Sequence, residues 1–170
     1  MSVTTWYLEM TDPAQLRPAE RDVPEAAVVL VDPPDPELNR RLYADVGGPW
    51  QWVDRLLWDD ARWRAAIERP EVETWLVTER GVTAGYAELE RDGDGIEIAY
   101  FGLLPGFEGR GLGGLLLSAV TRRAWEPGPR RVWLHTCSLD SPAALSAYER
   151  RGYEIYKTET SKTTTEGSAE

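Results

Sequence analysis

Two thirds of the way along the chain, a glycine-rich stretch has the composition of an anion-binding loop. Residues 101–117 read FGLLPGFEGRGLGGLLL, with four glycines between positions 109 and 114 and an apolar run on each side. Glycine has no Cβ, so its backbone can approach a ligand closely, and the first amides of a helix attract anions. We therefore expect the amides of Gly109, Gly111, Gly113 and Gly114 to converge on a phosphate where a strand turns into a helix.

Two other phosphate-binding loops fit this stretch poorly. Gly109, Gly111 and Gly114 match G-x-G-x-x-G, but in a dinucleotide-binding fold the first glycine follows its strand directly, near the start of the domain. Here residues 105–108 intervene, and only residues 115–170 follow the motif. A Walker A loop requires Lys-Ser or Lys-Thr after its last glycine, where this chain has Leu115. The remaining interpretation is an open strand end that leads into a helix N-terminus.

The loop and a second block resemble the GNAT superfamily of acyl-coenzyme A dependent N-acyltransferases, over about residues 73–156. The family's loop reads Gln/Arg-x-x-Gly-x-Gly/Ala, and Glu108-Gly109-Arg110-Gly111-Leu112-Gly113 matches it except at the first position. The family's second block is matched in register by Ser141, Ala144, Tyr148 and Gly152-Tyr153. An acidic side chain repels pyrophosphate, so we expect Glu108 to point outward while the backbone binds.

The resemblance implies how coenzyme A would bind. In the family, the strand before the loop carries a bulge that splays it from the next strand and frees backbone groups for the pantetheine arm. Gly102 and Leu103 occupy that place, and the amide of Leu103 or its neighbour is the expected oxyanion donor. Acetyl-coenzyme A is thus the implied co-substrate, with no metal. Its implied contacts are Leu103, Leu104, Glu108, Gly109, Arg110, Gly111, Leu112, Gly113, Gly114 and Ser141.

Acyl transfer from a thioester to an amine requires one group that accepts a proton and one that donates it. Glu97 lies fourteen residues before Gly111, which is the spacing of the general base in histone-type GNAT enzymes. Glu88, on the adjacent predicted strand, is the second candidate base. Tyr148 matches the family tyrosine that protonates the sulfur as general acid. The alternative is that the carboxylates are solvated strand ends and the tyrosine is a core residue.

Aromatic residues and the single histidine are the candidates for holding the acceptor. Tyr43, Trp50 and Trp52 border GGPWQW, where the family places its variable acceptor site, and aromatic faces attract cationic amines. These residues fit a hydrophobic core equally well. His135 lies in VWLHT on an expected wall of the cleft, where it contacts the substrate, acts as base, or is structural.

The pattern of the whole chain predicts the order β-β-α-α-β-β-β-α-β-α-β, an α/β (α+β) fold. With the resemblance, this implies a mixed, mostly antiparallel twisted sheet, splayed between two central strands and flanked by helices. We expect one or two helices between Trp50 and Arg69, and a helix capped by Ser141. Residues 1–161 are predicted to form one domain, with a variable acceptor side (1–70) and an acyl-coenzyme A core (71–161). Residues 162–170 are small and polar, which predicts a disordered tail.

Charge and composition restrict the partners. A net charge of −10 over 170 residues disfavours nucleic acid and anionic membranes and suits a cationic small molecule or peptide. One cysteine and one histidine disfavour a disulfide and a zinc site. The chain has no run of 18 apolar residues, and its start is unlike a signal peptide, so we expect a cytoplasmic protein.

The function that these residues predict is N-acetyl transfer from acetyl-coenzyme A to a small-molecule primary amine, by direct attack in a ternary complex of a monomer or homodimer. Two alternatives stay open. The same fold could use aminoacyl-tRNA as the acyl donor, which the acidic composition disfavours. It could also be a non-catalytic acyl-coenzyme A sensor, which the presence of Glu97 and Tyr148 disfavours.

Overall fold

The computed structural model describes residues 2–162, and within them the elements follow the predicted order. Two short 3-10 helices, Pro13–Gln15 and Gly48–Trp50, accompany them. The strands and α-helices are β1 (Ser2–Met10), β2 (Ala26–Leu30), α1 (Pro36–Gly47), α2 (Asp60–Ile67), β3 (Val72–Glu79), β4 (Val82–Asp92), β5 (Gly95–Leu103), α3 (Leu112–Trp125), β6 (Arg131–Cys137), α4 (Ala144–Arg150) and β7 (Glu154–Lys162).

All seven of these strands form one sheet, in the order β2-β3-β4-β5-β6-β1-β7. Every neighbouring pair is antiparallel except β5 and β6, which run parallel. This is the mixed, mostly antiparallel sheet that was predicted. Because β1 lies between β6 and β7, the amino-terminal part of the chain is built into the sheet and is not confined to the acceptor side.

The sheet opens between its two parallel strands. β5 and β6 pair only through Gly95–Glu97 and Arg131–Trp133, although β5 continues to Leu103 and β6 to Cys137. The carboxyl-terminal halves of both strands therefore lack a partner on the facing side. This confirms the predicted splay between two central strands.

A β-bulge lies in β5, but at a different residue from the predicted one. Glu88 pairs with Tyr100 and Leu89 with Ile98, which leaves Ala99 as the extra residue. The prediction of a bulge at Gly102–Leu103 was therefore wrong by about three positions. Gly102 instead allows α1 to approach the strand closely. A Cβ at position 102 would lie 2.5 Å from Val46 Cγ1.

The bulge also reverses which side chains of β5 face each side of the sheet. Before it, Ile96 and Ile98 pack into the core under α3, and after it Phe101 and Leu103 do so. Regular alternation would have sent Tyr100 to that same core. Instead Tyr100 packs with the aromatic residues on the opposite face of the sheet.

Helices cover both faces of the sheet. α3 and α4 pack on one face over the main core, whose members include Leu116, Val120 and Tyr148. α1 and α2 cover the other face through two smaller clusters, built around Tyr86 and around Tyr43 and Trp63. The cleft between β5 and β6 thus has the α1/α2 side as one wall and the α3/α4 side as the other.

Two helix predictions were wrong in extent. Residues 51–59 form turns, and α2 begins only at Asp60, where the Asp59 side chain accepts a hydrogen bond of 2.8 Å from the Arg62 amide. Gly47 allows the Trp52 ring to pack against the end of α1, because a Cβ at position 47 would lie 2.4 Å from the ring. The helix that was predicted to be capped by Ser141 also begins later than expected, because α4 starts at Ala144.

Among residues 2–162, none of the helices combines the length and the apolar character that crossing a bilayer requires. Of the predicted tail, Lys162 ends β7, and residues 163–170 lie outside the described residues.

Candidate active site

The splayed ends of β5 and β6 enclose a cleft of ≈ 600 Å³. Its walls come from residues 50–55, from β5, from the end of β6 and the loop that follows, and from α4, and it reaches the start of α3. Most of the predicted site residues meet there. A smaller cavity of ≈ 340 Å³ beside the end of α3 contains none of them.

The glycine loop ends in a helix start with free amides. Gly111 is the N-cap of α3 with φ 85°, a left-handed conformation that favours glycine, and no side chain caps the helix. The first-turn amides of Leu112, Gly113 and Gly114 therefore lack a capping side chain, which suits an anion. Arg21 supports the loop from outside, since its Nη1 donates to the Gly109 carbonyl at 3.1 Å.

The two charged side chains of the loop, those of Glu108 and Arg110, bind other groups of the protein. Glu108 is exposed, and its Oε2 accepts a hydrogen bond from the Gly106 amide at 3.0 Å. Arg110 is exposed and pairs with Glu79 at the end of β3. Recognition of an anion by this loop therefore falls to its backbone.

Leu103 and Leu104 differ in their freedom to bind a ligand. The Leu104 amide donates to the Ala84 carbonyl at 2.7 Å, and its carbonyl accepts from the Phe107 amide at 3.2 Å, so its inclusion as a backbone contact was wrong. Because backbone groups alternate along a strand, the Leu103 amide points away from β4 and into the gap between β5 and β6. Leu103 lines the cleft, and its amide is the available donor.

Glu97 and His135 meet at the point where the two strands separate. His135 Nδ1 lies 3.5 Å from Glu97 Oε1, and the exposed fractions of the two side chains are 44% and 17%. The neighbouring Glu97 carboxylate raises the pKa of His135, partial burial opposes this, and the charges of Asp140 and Asp54 add to the rise. The imidazole therefore holds a proton more readily than an ordinary histidine.

Tyr148 reaches the cleft from the opposite wall. Its ring packs against Phe101 at 6.0 Å and Tyr153 at 6.5 Å between centroids, and only 7% of the residue is exposed. Burial raises the pKa of Tyr148, so the hydroxyl keeps its proton at neutral pH. Ser141 also lines the cleft, where its Oγ accepts from the Ala143 amide at 3.3 Å in a turn rather than as a helix cap.

Glu88 is buried in the protein and does not line the cleft. Its side chain is 2% exposed, and Arg55 Nη1 donates to both of its carboxylate oxygens at 2.9 Å. Asn39 Nδ2 donates to the same carboxylate at 3.0 Å. Burial raises the pKa of Glu88, while Arg55 and Asn39 oppose the rise. A carboxylate enclosed in this way has no contact with a substrate, so its assignment as second base was wrong.

The aromatic residues divide between the cleft and the core. Trp50 and Trp52 line the cleft, and the Trp52 indole donates to Asp140 Oδ1 at 3.1 Å across the cleft mouth. Tyr43 is 1% exposed and packs under Trp52, so its predicted contact with the acceptor was wrong. Instead its hydroxyl donates to Asp54 Oδ1 at 2.6 Å.

Asp54 is a cleft residue that sequence reasoning missed. It lies in the turns between Trp50 and Asp60, where no periodic pattern marks which side chains face a site. Its Oδ2 accepts a hydrogen bond from the Tyr100 hydroxyl, 46 positions away in the chain. The only local signal was a charged residue among tryptophans.

The splayed sheet and the glycine-rich helix start together define an acyltransferase fold. A sequence profile of the Acetyltransferase (GNAT) family matches residues 37–153, and the chain belongs to that family.

The chain is similar to "Mycothiol acetyltransferase" of Kineococcus radiotolerans, with 39% identity over 98 residues, which is 56% of this chain and 31% of that protein. It is also similar to the protein of the same name from Corynebacterium aurimucosum, with 42% identity over 59 residues, or 35% of this chain and 19% of that one. The matched segments thus span a third or less of these curated relatives.

Solved structures show the same fold at low identity. A GCN5-related N-acetyltransferase from Sphaerobacter thermophilus superposes with a TM-score of 0.71 at 19% identity, covering 92% of this chain and 49% of that one. A GCN5-related N-acetyltransferase from Kribbella flavida gives 0.64 at 22% identity, covering 92% and 56%.

Proposed function

We propose that this chain transfers an acetyl group from acetyl-coenzyme A to a primary amine of a small molecule, by direct attack in a ternary complex. The observation that carries the proposal is the Glu97–His135 pair, which lies where β5 and β6 separate, in the same cleft that the start of α3 reaches. Membership of the family supports acyl transfer, and the names of the curated relatives support acetyl as the acyl group.

The residues present fit coenzyme A. The uncapped amides of Leu112, Gly113 and Gly114 suit its pyrophosphate, and no side-chain carboxylate competes for them, because Glu108 binds Gly106. The splayed edge of β5, with the free amide of Leu103, suits the pantetheine arm and the thioester carbonyl. When bound, the thioester supplies an activated acetyl carbon.

His135 and Glu97 accept the proton that the amine loses. Alkyl amines have a pKa of about 10.4 and are mostly protonated at neutral pH, so the site needs a base. Of the two side chains, His135 is the more exposed, and its Nδ1 faces Glu97, which leaves Nε2 for the amine. Glu97 then holds the ring and stabilises the imidazolium. We thus assign the direct base to His135 rather than to Glu97.

Tyr148 returns a proton to the leaving sulfur. Tyr148 lines the cleft from the α4 wall, opposite to the base, and no hydrogen bond joins its hydroxyl to another described residue. A thiol has a pKa of about 8.5, below that of a tyrosine, so full proton transfer to the thiolate is uphill; the hydroxyl first donates a hydrogen bond to the charge that grows on sulfur, and solvent replaces the proton that Tyr148 then loses.

The first test is transfer itself. The full chain is incubated with acetyl-coenzyme A and a panel of primary amines, thiol release is followed with a chromogenic reagent, and acetylated products are identified by mass spectrometry. Thiol release that requires an amine, with a matching acetylated product, supports the proposal. Tight acetyl-coenzyme A binding without transfer would indicate a sensor, and transfer only from aminoacyl-tRNA would indicate the other donor.

The second test assigns the base through the pH dependence of kcat/KM. The base must be unprotonated, so the rate rises with pH through the raised pKa of His135, above its usual value of about 6.5. Glu97→Gln removes the interaction that raises this pKa but not the burial that lowers it, so the acidic limb moves to lower pH. His135→Gln abolishes the limb and lowers kcat/KM by about 10²–10⁴-fold.

Comparing variants on one amine cancels the titration of the amine itself. Asp94→Asn, on the exposed β4–β5 turn, is the control and keeps the wild-type profile. If Glu97→Gln loses the limb while His135→Gln keeps it, Glu97 is the direct base and the roles within the pair are reversed.

A further inference from the structure

Asp54 is a carboxylate of the cleft wall whose charge no basic side chain of residues 2–162 pairs with. Its two oxygens accept hydrogen bonds from the Tyr43 and Tyr100 hydroxyls. Both donors are neutral, so the negative charge remains, and each carboxylate oxygen keeps a further lone pair. The adjacent Arg55 is committed to Glu88.

The other acidic residues that line the cleft are Glu90, Glu97, Glu108 and Asp140, and of these only Glu90 and Glu97 lie against a basic side chain. Glu97 lies against His135, and Glu90 pairs with Arg69 at 2.7 Å. Asp140 accepts from the Trp52 indole, the Thr136 hydroxyl and the Cys137 amide. Asp140 thus already accepts three hydrogen bonds, and Glu108 lies at the glycine loop, where it accepts from the Gly106 amide. Asp54 is therefore the carboxylate beside the aromatic residues of the cleft that is open to an incoming cation.

The fold holds this carboxylate rigidly. Tyr43 lies on the buried side of α1, and its ring contacts Tyr100 edge-on, at 5.5 Å between centroids. Tyr100 faces this wall only because the bulge at Ala99 shifts the alternation of β5. Burial opposes ionisation of Asp54, but the hydroxyls of Tyr100 and Tyr43, with the charge of Arg55, lower its pKa, so it stays anionic at neutral pH.

Aromatic side chains complete the surroundings of Asp54. Trp50, Trp52 and Tyr100 all line the cleft, and the rings of Trp52 and Tyr100 lie 5.3 Å apart. Arg55 already lies over the Tyr100 ring, at 4.2 Å from its centroid, so the rings left for a ligand are those of Trp50 and Trp52. Aromatic faces attract an ammonium group and cover the methylene groups that carry it. A carboxylate beside such faces suits an alkylammonium better than an inorganic cation.

We propose that Asp54 binds a second cationic group of the acceptor, so that the preferred acceptors are diamines or polyamines. This inference rests on the proposed acetyl transfer. One amine of the acceptor is the attacking nitrogen beside His135, and the other is an ammonium bound to Asp54. The acceptor's second charge thus selects it among primary amines of similar length.

Matched acceptors test the inference. Hexamethylenediamine, aminohexanol and hexylamine share one chain and differ in the group at the far end. We expect wild-type kcat/KM for the diamine to exceed that for aminohexanol by about ten- to a hundredfold, which is the range of a charge-assisted hydrogen bond. Asp54→Asn should bring this ratio close to one, and added salt should lower it in the wild type.

Two further variants control the result. Asp94→Asn removes an exposed carboxylate outside the cleft and should keep the wild-type ratio. Tyr100→Phe keeps the Asp54 charge but removes one of its two hydroxyl anchors, and should lower the ratio by a smaller factor. It also serves as the test if Asp54→Asn does not fold, as judged by acetyl-coenzyme A affinity and thermal unfolding.

The outcomes separate the two proposals. Absence of transfer to any amine overturns the proposed function, and this inference with it. Equal efficiency with all three amines in the wild type, or a diamine preference that both Asp54→Asn and Tyr100→Phe leave unchanged, overturns the assignment of Asp54 and leaves acetyl transfer standing.

Discussion

Replacing Glu88 by glutamine should destabilise the fold strongly, although the change is nearly isosteric. The Glu88 and Arg55 side chains are 2% and 11% exposed, and Arg55 Nη1 contacts both carboxylate oxygens at 2.9 Å. Removing one partner of a buried ion pair costs about 3–5 kcal/mol, because the other charge is left unpaired in a medium of low polarity.

For Glu88→Gln we expect the loss of unfolding free energy to lie at the lower end of that range. Arg55 also lies over the rings of Tyr100 and Trp58, at 4.2 and 4.7 Å from their centroids, and these contacts remain in the variant. Each offsets about 0.5–1 kcal/mol of the loss. We therefore expect a decrease of about 3 kcal/mol in the free energy of unfolding. For a chain of this size that lowers Tm by roughly 6–12 °C.

Glu90 provides a matched control two residues along the same strand. It pairs with Arg69 at 2.7 Å, but the two side chains are 31% and 45% exposed, so Glu90→Gln should cost only about 0–1 kcal/mol. Urea titration and thermal unfolding of both variants give the comparison. If Glu88→Gln were as stable as Glu90→Gln but lost the acidic limb of the pH–rate profile, Glu88 would be a cleft residue and the argument from burial would fail.

Two further predictions concern the coenzyme A side of the cleft. Tyr148→Phe keeps the ring packing and removes the proton, so kcat should fall about ten- to a thousandfold with little change in acetyl-coenzyme A affinity; an unchanged kcat in steady-state assays would assign Tyr148 to the core alone. Gly113→Val should weaken coenzyme A binding at least about tenfold with little change in Tm, because Gly113 has helical φ and a Cβ there only touches Leu103 at 3.7 Å. Unchanged affinity in calorimetry would separate the glycine loop from the pyrophosphate. Gly111→Val is a less specific test, since φ 85° and a Cβ 2.9 Å from Arg21 strain the fold as well.

Features that depend on local sequence were predictable, and features that depend on pairing were not. The glycine loop and the order of strands and helices follow from composition, apolar periodicity and turn residues, which act over a few positions. The bulge at Ala99 depends on how β5 pairs with β4, and no residue in EIAYFGL marks it. The bulge was predicted at Gly102 because a glycine in a strand often marks one. In the structure, a glycine is required there because Val46 of α1 packs closely against the strand.

The errors within the candidate site have the same origin. Glu88 is charged and lies at the predicted cleft, yet its environment is set by Arg55 and Asn39, 33 and 49 positions away. Asp54 lies in irregular turns, and its role depends on hydroxyl groups from α1 and β5. In both cases the decisive contact joins segments whose proximity appears only in the folded sheet.

The pairing of the first and last strands has a consequence for protein engineering. Ser2 lies opposite Lys162 in an antiparallel pair, so the ends of the described chain are about 5 Å apart between Cα atoms. The Thr4 amide donates to Ser138 Oγ beside the end of β6, so both ends leave the sheet on the side where the cleft opens. A segment that is fused directly to Ser2 or Lys162 therefore begins near the entrance. A circular permutant that joins Ser2 to Lys162 by a short linker and opens the Asp92–Gly95 turn would move the new ends, and any attachment, to the opposite end of the strands, away from the cleft.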